Sequence, residues 1–221
     1  MGLLDLLFPK TCVGCGKLGE YLCERCVGQI EYLEVQLCSR CYKNAIGGKT
    51  HPKCETKFGL DGVVSFCNYK GTIREVIKNL KYRFTTALLG EVSKKIVFDP
   101  DLLPNKSWVA LPVPLHKSRE NFRGFNQAEL LGKIMAQKLN LSFDSSVLKR
   151  KSETKSQVGL SQKQRKDNIA LAFEVRGEVR GKGFYIFDDV WTSGATLNSV
   201  AKELKRAGAE YVWGLTLAHP R

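Results

Sequence analysis

The stretch Tyr185-Ile-Phe-Asp-Asp-Val-Trp-Thr-Ser-Gly-Ala-Thr196 decides the fold of this chain. It belongs to an apolar strand predicted over 183–187, which leads through a polar turn over 188–194 into a helix predicted over 195–207. A second apolar strand is predicted over 211–217, and Gly208 occupies a position that commonly ends a helix. A strand, a tight loop, a helix and another strand in this order predict a right-handed βαβ unit of a parallel sheet.

The loop inside this unit has the chemistry of a phosphorylated sugar site. Ligands of parallel sheets bind at the carboxyl ends of the strands, which is where this loop must lie. The first N–H groups of a helix, together with hydroxyl donors and a glycine, suit a phosphate. Adjacent carboxylates suit sugar hydroxyls or a hydrated magnesium ion. The candidate phosphoribosyl-binding residues are Asp188, Asp189, Thr192, Ser193, Gly194, Ala195 and Thr196. The alternative is an ordinary helix cap after a solvated acidic turn, although capping needs only one such residue.

Strands also alternate with helices upstream of this unit. Strands are predicted over 62–69 and 108–113, with a short one near 147–148. Helices are predicted over 88–98 and 126–139. A further helix follows the first strand, and its apolar residues recur at helical spacing: Ile73, Val76, Ile77 and Leu80. The whole pattern predicts an α/β domain over residues 61–221, with a parallel sheet flanked by helices.

The first sixty residues are dominated by cysteine and predict a zinc-ribbon-like domain over residues 1–60. We expect no export signal before them, and reduced cytosolic thiols favour metal ligation over disulfides. The two candidate ligand sets are Cys12, Cys15, Cys23 and Cys26, and Cys38, Cys41, His51 and Cys54. Four protein ligands in each set indicate structural Zn²⁺. A crossed pairing, in which the first and third cysteine pairs share an ion, is also compatible with the spacing. Cys67 lies in a predicted strand and is interpreted as a small buried apolar residue.

The positive charge is concentrated outside the cysteine-rich segment. Of the formal net charge of +13, eight basic and six acidic residues leave +2 on residues 1–60 and +11 on the remainder. Such an excess suits a phosphorylated ligand, nucleic acid or an anionic membrane surface, and the alternative is a solvated basic surface that keeps the chain soluble. The basic stretch 149–166 holds seven Lys or Arg and one Glu, and is interpreted as a hood over the site, a strip for DNA phosphates, or a solvated loop.

The apolar content of the chain indicates no membrane span. No stretch approaches the roughly 18 uninterrupted apolar residues that a span needs. The apolar start Leu3 to Phe8 contains Asp5 and lacks a basic region before it. These features predict a cytoplasmic protein, with peripheral association at the inner face of the cytoplasmic membrane as an alternative.

The 185–196 stretch resembles the motif that binds 5-phosphoribosyl 1-pyrophosphate (PRPP) in type I phosphoribosyltransferases. The resemblance implies that Asp188 and Asp189 contact the ribose 2′ and 3′ hydroxyls, that the loop from Thr192 to Thr196 holds the 5′-phosphate, and that Mg²⁺ accompanies PRPP. Trp191 is bulkier than the residue usual at its position. The basic candidates for pyrophosphate or DNA phosphate are Lys117, Arg119, Arg123 and Arg165.

A wider set of motifs is similar to the ComF family of competence-associated proteins. The set comprises the cysteine pairs, Leu7-Phe-Pro9, Pro112-Val-Pro114, Arg123-Gly-Phe-Asn-Gln127, Gln157, Leu160, Arg165 and Asn168. This resemblance implies a protein that binds PRPP and handles single-stranded DNA during natural transformation. It also implies a competence helicase and a recombination mediator as partners.

The alternative is an active phosphoribosyltransferase that transfers phosphoribosyl to an unidentified acceptor in nucleotide metabolism. The sequence shows no segment that clearly recognises an acceptor base, so it leaves open whether the chain is an enzyme, and no catalytic residue is assigned. The absence of G-x4-G-K-[ST] argues against a P-loop nucleotidase.

Overall fold

The computed structural model describes residues 9–82, 86–115, 121, 124–151 and 172–220. The strands are β1 (Gly62–Asn68), β2 (Val109–Pro112), β3 (Ser142–Phe143), β4 (Leu148–Arg150), β5 (Phe173–Val175), β6 (Gly183–Val190) and β7 (Tyr211–His219). The α-helices are α1 (Glu24–Val27), α2 (Gly71–Tyr82), α3 (Thr86–Lys95), α4 (Gln127–Lys138) and α5 (Ala195–Arg206). Short 3-10 helices cover Ile46–Gly48, Pro52–Cys54 and Pro100–Leu102.

Five strands form one parallel sheet in the order β1-β7-β6-β2-β3. The strands β4 and β5 pair antiparallel outside it. The predicted α/β fold is therefore confirmed, and the carboxyl ends of all five sheet strands meet at one edge. None of the helices in the described part of the chain has both the length and the apolar character needed to cross a membrane.

The central strand β6 is longer than predicted, and this corrects the interpretation of 188–194 as a turn. Asp188 pairs with Thr216, and Val190 pairs with Ala218, on the neighbouring strand β7. Strand β7 itself extends to His219, so it supplies partners that the apolar pattern alone does not reveal. The two acids consequently lie on the rigid end of a central strand rather than in a turn.

Alternate residues of β6 face two different hydrophobic cores. Tyr185 and Phe187 pack in the core that contains residues of α2 and α4, whereas Phe184 and Ile186 pack against α5. All four side chains are almost completely buried. Helices cover both faces of the sheet, which explains why this strand is a continuous apolar run.

The cysteine-rich segment packs directly on the first of these cores. Leu22 and Cys26 are buried in the same cluster as Phe66 of β1. The carboxylate of Glu91 on α3 accepts hydrogen bonds from the backbone N–H groups of Tyr21 (3.1 Å) and Leu22 (2.6 Å). The segment is therefore fixed to the sheet and its helices by both apolar and polar contacts.

Candidate functional site

A cavity of about 360 Å³ lies at the carboxyl edge of the sheet, where the sequence predicts the ligand. Residues from several separate elements line it: Tyr69, Lys81, Val113, Pro114, Leu115, Gln127, Ala128, Arg150, Asp188, Asp189, Val190, Thr192 and Thr196. The size falls within the range of about 300–1,000 Å³ that is common for small-molecule sites. The lining places carboxylates, hydroxyls and cations around one volume.

The acid pair at the end of β6 is held by a lysine from α2. Lys81 Nζ lies 2.7 Å from Asp189 Oδ2, and both side chains are largely buried. The backbone N–H of Asp189 donates a hydrogen bond of 2.9 Å to Asp188 Oδ1. Burial, with the neighbouring Asp189 charge, raises the pKa of Asp188 to about 7, although the Asp189 N–H and Lys81 oppose this shift. The pair thus combines one carboxylate with a fixed countercharge and one whose ionised form is disfavoured until a donor or cation arrives.

This pKa makes the stability of the free chain depend on pH in a defined direction. The ordinary pKa is 3.8 and the folded value is about 7, so between these limits the folded chain holds one more proton than the unfolded chain. The Asp188 contribution to the free energy of unfolding therefore falls as pH rises from about 4 to about 7. Above about pH 7 it no longer changes with pH.

We expect Asp188→Asn to raise the free energy of unfolding by about 2 kcal/mol at pH 8 and to leave it nearly unchanged at pH 4. The full pKa difference corresponds to about 4 kcal/mol, and partial exposure of Asp188 reduces it. Urea denaturation of both chains at the two pH values measures the difference. An equal effect at both pH values would contradict the assignment.

The phosphate loop, residues 191–196, turns from β6 into α5 through Gly194. Gly194 is the N-cap of α5 and has a φ of 66°, in the left-handed region that favours glycine. A Cβ at this position would lie 2.8 Å from Trp191 Nε1 and 3.1 Å from Asn198 Nδ2. Glycine has no side chain to accept hydrogen bonds from the first turn of the helix, which suits the binding of an anion by those N–H groups.

The structure separates the predicted phosphoribosyl residues into two groups. Asp188, Asp189, Thr192 and Thr196 line the cavity, while the backbone of Ser193, Gly194 and Ala195 builds the loop and the start of α5. Trp191 is buried and is not among the cavity-lining residues. The basic candidates Lys117, Arg119, Arg123 and Arg165 lie outside the described residues.

Four polar side chains of the lining are not among the candidate site residues, although Gln127 belongs to the Arg123-Gly-Phe-Asn-Gln127 motif. Tyr69 directly follows β1, so the carboxyl-edge rule, applied to every strand, could have nominated it. Gln127 begins α4, and Arg150 ends β4 inside the basic stretch that the sequence analysis treated as a whole. Lys81 lies in the last turn of α2, and its sequence position gives no signal for a contact with Asp189.

Two compact ligand clusters occupy the cysteine-rich segment. One contains Cys12, Cys15, Cys23 and Cys26, and the other Cys38, Cys41, His51 and Cys54. Within each cluster the ligand atoms all lie within 4.8 Å of one another. The pairing is therefore sequential, and the crossed alternative is wrong. Cys67 belongs to neither cluster and is fully buried in β1, where burial raises its thiol pKa to about 12.

The chemistry of the second cluster fits a zinc ion. His51 Nδ1 lies 3.3 Å from Cys41 Sγ, while Nε2 lies 3.0 Å from the carbonyl oxygen of Asn44. Nδ1 can thus bind the ion while the opposite N–H donates to the backbone, as zinc-binding histidines commonly do. Burial opposes ionisation of the Cys38 thiol, but backbone N–H groups, including that of His51, outweigh it and lower the pKa to about 6. The thiolate is the form that binds metal.

The first cluster has a matching set of features. Burial again opposes ionisation of Cys12, and hydrogen bonds from neighbouring backbone N–H groups, that of Cys23 foremost, lower its pKa to about 6. The N–H of Cys23 donates to Cys12 Sγ at 3.4 Å. Because each cluster offers four protein ligands, both sites support structural rather than catalytic zinc.

The parallel sheet, the acid pair and the phosphate loop define a type I phosphoribosyltransferase-like protein that carries an N-terminal zinc ribbon. The family described as Double zinc ribbon domain matches residues 3–55. The family described as Phosphoribosyl transferase domain matches residues 126–219. Together with the relatives described next, these matches show that the chain belongs to the ComF family.

Three relatives illustrate the family. Competence protein F of Haemophilus influenzae is 38% identical over 113 residues, which cover 49% of each chain. The DNA utilization protein YhgH of Escherichia coli K12 is 30% identical over 155 residues, or 68% of each chain. Competence protein ComFC of Bacillus subtilis is 27% identical over 146 residues, which are 65% of this chain and 58% of that protein. The matched region thus spans about half of the Haemophilus protein and about two thirds of the Escherichia coli protein.

Proposed function

We propose that the chain binds PRPP or a related phosphoribosyl ligand, with Mg²⁺, and that this binding serves the handling of single-stranded DNA in natural transformation. The observation that carries the proposal is the cavity in which Asp188, Asp189, Thr192 and Thr196 come together. Relatives named for competence and for DNA utilization supply the biological setting. The proposal places the protein in the cytoplasm, alongside a competence helicase and a recombination mediator.

Each part of a phosphoribosyl ligand has a chemical counterpart in the cavity. The hydroxyls of Thr192 and Thr196, with the N–H groups at the start of α5, suit the 5′-phosphate. Asp188 and Asp189 suit the ribose hydroxyls, because an ionised carboxylate accepts hydrogen bonds strongly. Arg150, which also lines the cavity, supplies positive charge.

The acid pair also fits a hydrated magnesium ion. Mg²⁺ commonly binds one or two carboxylates together with substrate phosphates, and when bound it neutralises charge on the pyrophosphate group. Lys81 forms a close ion pair with Asp189. Among the ion pairs of the described residues, Asp188 has no cationic partner at a comparable distance. A nearby cation would favour its ionised form, so ligand affinity with Mg²⁺ should increase as pH rises through about 7.

The charge of the chain supports a nucleic-acid partner. Residues 61–221 carry a net charge of +11, and the basic stretch 149–166 begins at Lys149 beside the cavity-lining Arg150. Cations concentrated in the sequence in this way suit the phosphates of single-stranded DNA, which predicts binding that weakens steeply with salt. The proposed role therefore joins a sugar phosphate pocket to a cationic surface.

A second, smaller cavity favours transferase activity as the alternative function. Its volume is about 200 Å³, and it shares Pro114, Leu115 and Arg150 with the first cavity. An acceptor held there could attack C1 of PRPP with a nitrogen lone pair. The bond from C1 to the pyrophosphate oxygen would then break, pyrophosphate would leave, and the acceptor nitrogen would lose a proton.

Calorimetric titration with PRPP and Mg²⁺, with and without a single-stranded oligonucleotide, tests the proposal. We expect saturable PRPP binding whose affinity changes when the oligonucleotide is present. Absence of PRPP binding in both conditions would overturn the proposed ligand. A PRPP affinity that is the same with and without the oligonucleotide would overturn the link to DNA. Release of pyrophosphate in the presence of candidate nitrogen acceptors would favour the transferase alternative.

A further inference from the structure

A side chain next to the second ligand cluster reaches the phosphate loop. Tyr42 directly follows the cluster residue Cys41, and its hydroxyl donates a hydrogen bond of 3.0 Å to the carbonyl oxygen of Ser193. Its ring stacks on Trp191, with centroids 5.3 Å apart and planes inclined by 17°. The phosphate loop is thus held at two points by a residue that is 151 positions away in the sequence.

Tyr42 is the outer ring of a stack of three rings, and Trp191 and His219 are the other two. Trp191 stacks on His219 with a centroid distance of 4.2 Å. His219 Nδ1, at 2.7 Å, donates to the carbonyl oxygen of Trp191 and so fixes the backbone where the loop begins. Trp191 and His219 are both buried, whereas Tyr42 is 42% exposed and forms the outer layer. The outer layer is the one that the cysteine-rich segment contributes.

The position of Tyr42 depends on the closed turn between Cys38 and Cys41. Tyr42 has a φ of 58°, a left-handed conformation that is uncommon for a bulky residue. The Tyr42 N–H donates to the Cys38 carbonyl at 3.1 Å, and the Cys38 N–H donates to the Lys43 carbonyl at 2.8 Å. An ion that joins Cys38 to Cys41 would stabilise this turn and the strained residue that follows it.

We propose that Tyr42 is a positioning residue, through which the turn beside the Cys38, Cys41, His51 and Cys54 cluster sets the order of the phosphate loop and hence its affinity for the ligand. The affinity part rests on the proposed function, whereas the loop-ordering part does not. When only a fraction of the loops is correctly ordered, the apparent affinity falls by that fraction. The first cluster, which is clamped by Glu91 on α3, should have no such effect on the loop.

Three variants test the inference. Tyr42→Asn removes the ring and the hydroxyl but keeps a residue that tolerates positive φ, and Tyr42→Phe removes the hydroxyl alone. Tyr32→Phe is the matched control, because Tyr32 is 41% exposed and its hydroxyl accepts one backbone hydrogen bond, from Val97 at 3.1 Å. The first readout is amide hydrogen exchange over residues 190–198 without ligand, with zinc content measured in parallel.

Tyr42→Asn is expected to accelerate exchange in this segment by about tenfold, and Tyr42→Phe by about threefold, at unchanged zinc content. Tyr32→Phe should leave it unchanged. Unaltered exchange in Tyr42→Asn would overturn the inference. If Tyr42→Asn loses zinc, the test rests on Tyr42→Phe. Exchange at the wild-type rate in Tyr42→Phe would then overturn the inference.

The second readout is PRPP titration. Affinity should fall by about tenfold in Tyr42→Asn and stay at the wild-type value in Tyr32→Phe. If the wild-type chain binds no PRPP, the proposed function fails, while the exchange experiment still tests the role of Tyr42. If loop exchange rises but affinity does not fall, the link from loop order to ligand binding is overturned.

Discussion

Removal of zinc under reducing conditions is expected to unfold the cysteine-rich segment and to lower the melting temperature of the whole chain. Structural zinc contributes about 10–16 kcal/mol of apparent binding free energy in small zinc-binding peptides, and in such segments this is folding free energy. Here the segment also buries Leu22 and Cys26 in the core beneath β1, so its loss would expose apolar surface of the sheet domain. Circular dichroism during heating, before and after treatment with a chelator, measures the effect.

Zinc content distinguishes the two clusters. We expect two ions per chain, one ion after Cys15→Ser, and one ion after Cys41→Ser, since each change removes one ligand of a different cluster. Cys67→Ala is the matched control and should retain both ions, because Cys67 lies in neither cluster. A wild-type chain with a single ion, or a metal-free chain with an unchanged melting curve, would contradict this assignment.

Asp189→Asn is expected to weaken PRPP binding by about 100-fold while leaving the fold intact. Asparagine has nearly the same shape but carries no charge, so it would weaken the proposed hydrogen bonds to ribose and leave Lys81 without its 2.7 Å partner. Loss of a buried charge-assisted contact costs about 2–3 kcal/mol, and 2.7 kcal/mol corresponds to about 100-fold in affinity. Calorimetric titration with PRPP and Mg²⁺ measures the change.

Asp144→Asn provides the matched control for this variant. Asp144 follows β3 and accepts hydrogen bonds from the N–H and hydroxyl of Ser146, and it is not among the residues that line the cavity. The control should bind PRPP like the wild-type chain and should show the same circular dichroism spectrum as Asp189→Asn. Equal PRPP affinities for Asp189→Asn and Asp144→Asn would contradict a role of the acid pair in ligand binding.

The sequence was most informative where one local pattern determined both the element and its chemistry. The apolar residues before Asp188 and the helical spacing after Gly194 placed β6, α5 and β7 within a few residues of their observed bounds. The predicted end of β6 was wrong because Asp188 and Asp189 are polar, and residues 188–194 were therefore interpreted as a turn. Their strand conformation comes from pairing with β7, and pairing between strands is a tertiary property.

Other parts of the site depend on contacts that leave no local trace. Lys81 reaches Asp189 only because α2 packs beside the end of β6. The metal pairing was ambiguous because cysteine spacing fits both a sequential and a crossed arrangement. The structure resolves it because the ligand atoms of each sequential set all lie within 4.8 Å of one another.

The contacts of Glu91 and Tyr42 also have a consequence for dividing the chain. A protein cut after residue 60 would lose both the clamp on Tyr21 and Leu22 and the outer ring of the stack on Trp191. The remaining sheet would present Phe66 and its neighbours to solvent, a surface that invites aggregation. Exchanging the ribbon for that of a relative would require matching residues on α3 and on the phosphate loop, so the two parts should be inherited and engineered as one unit.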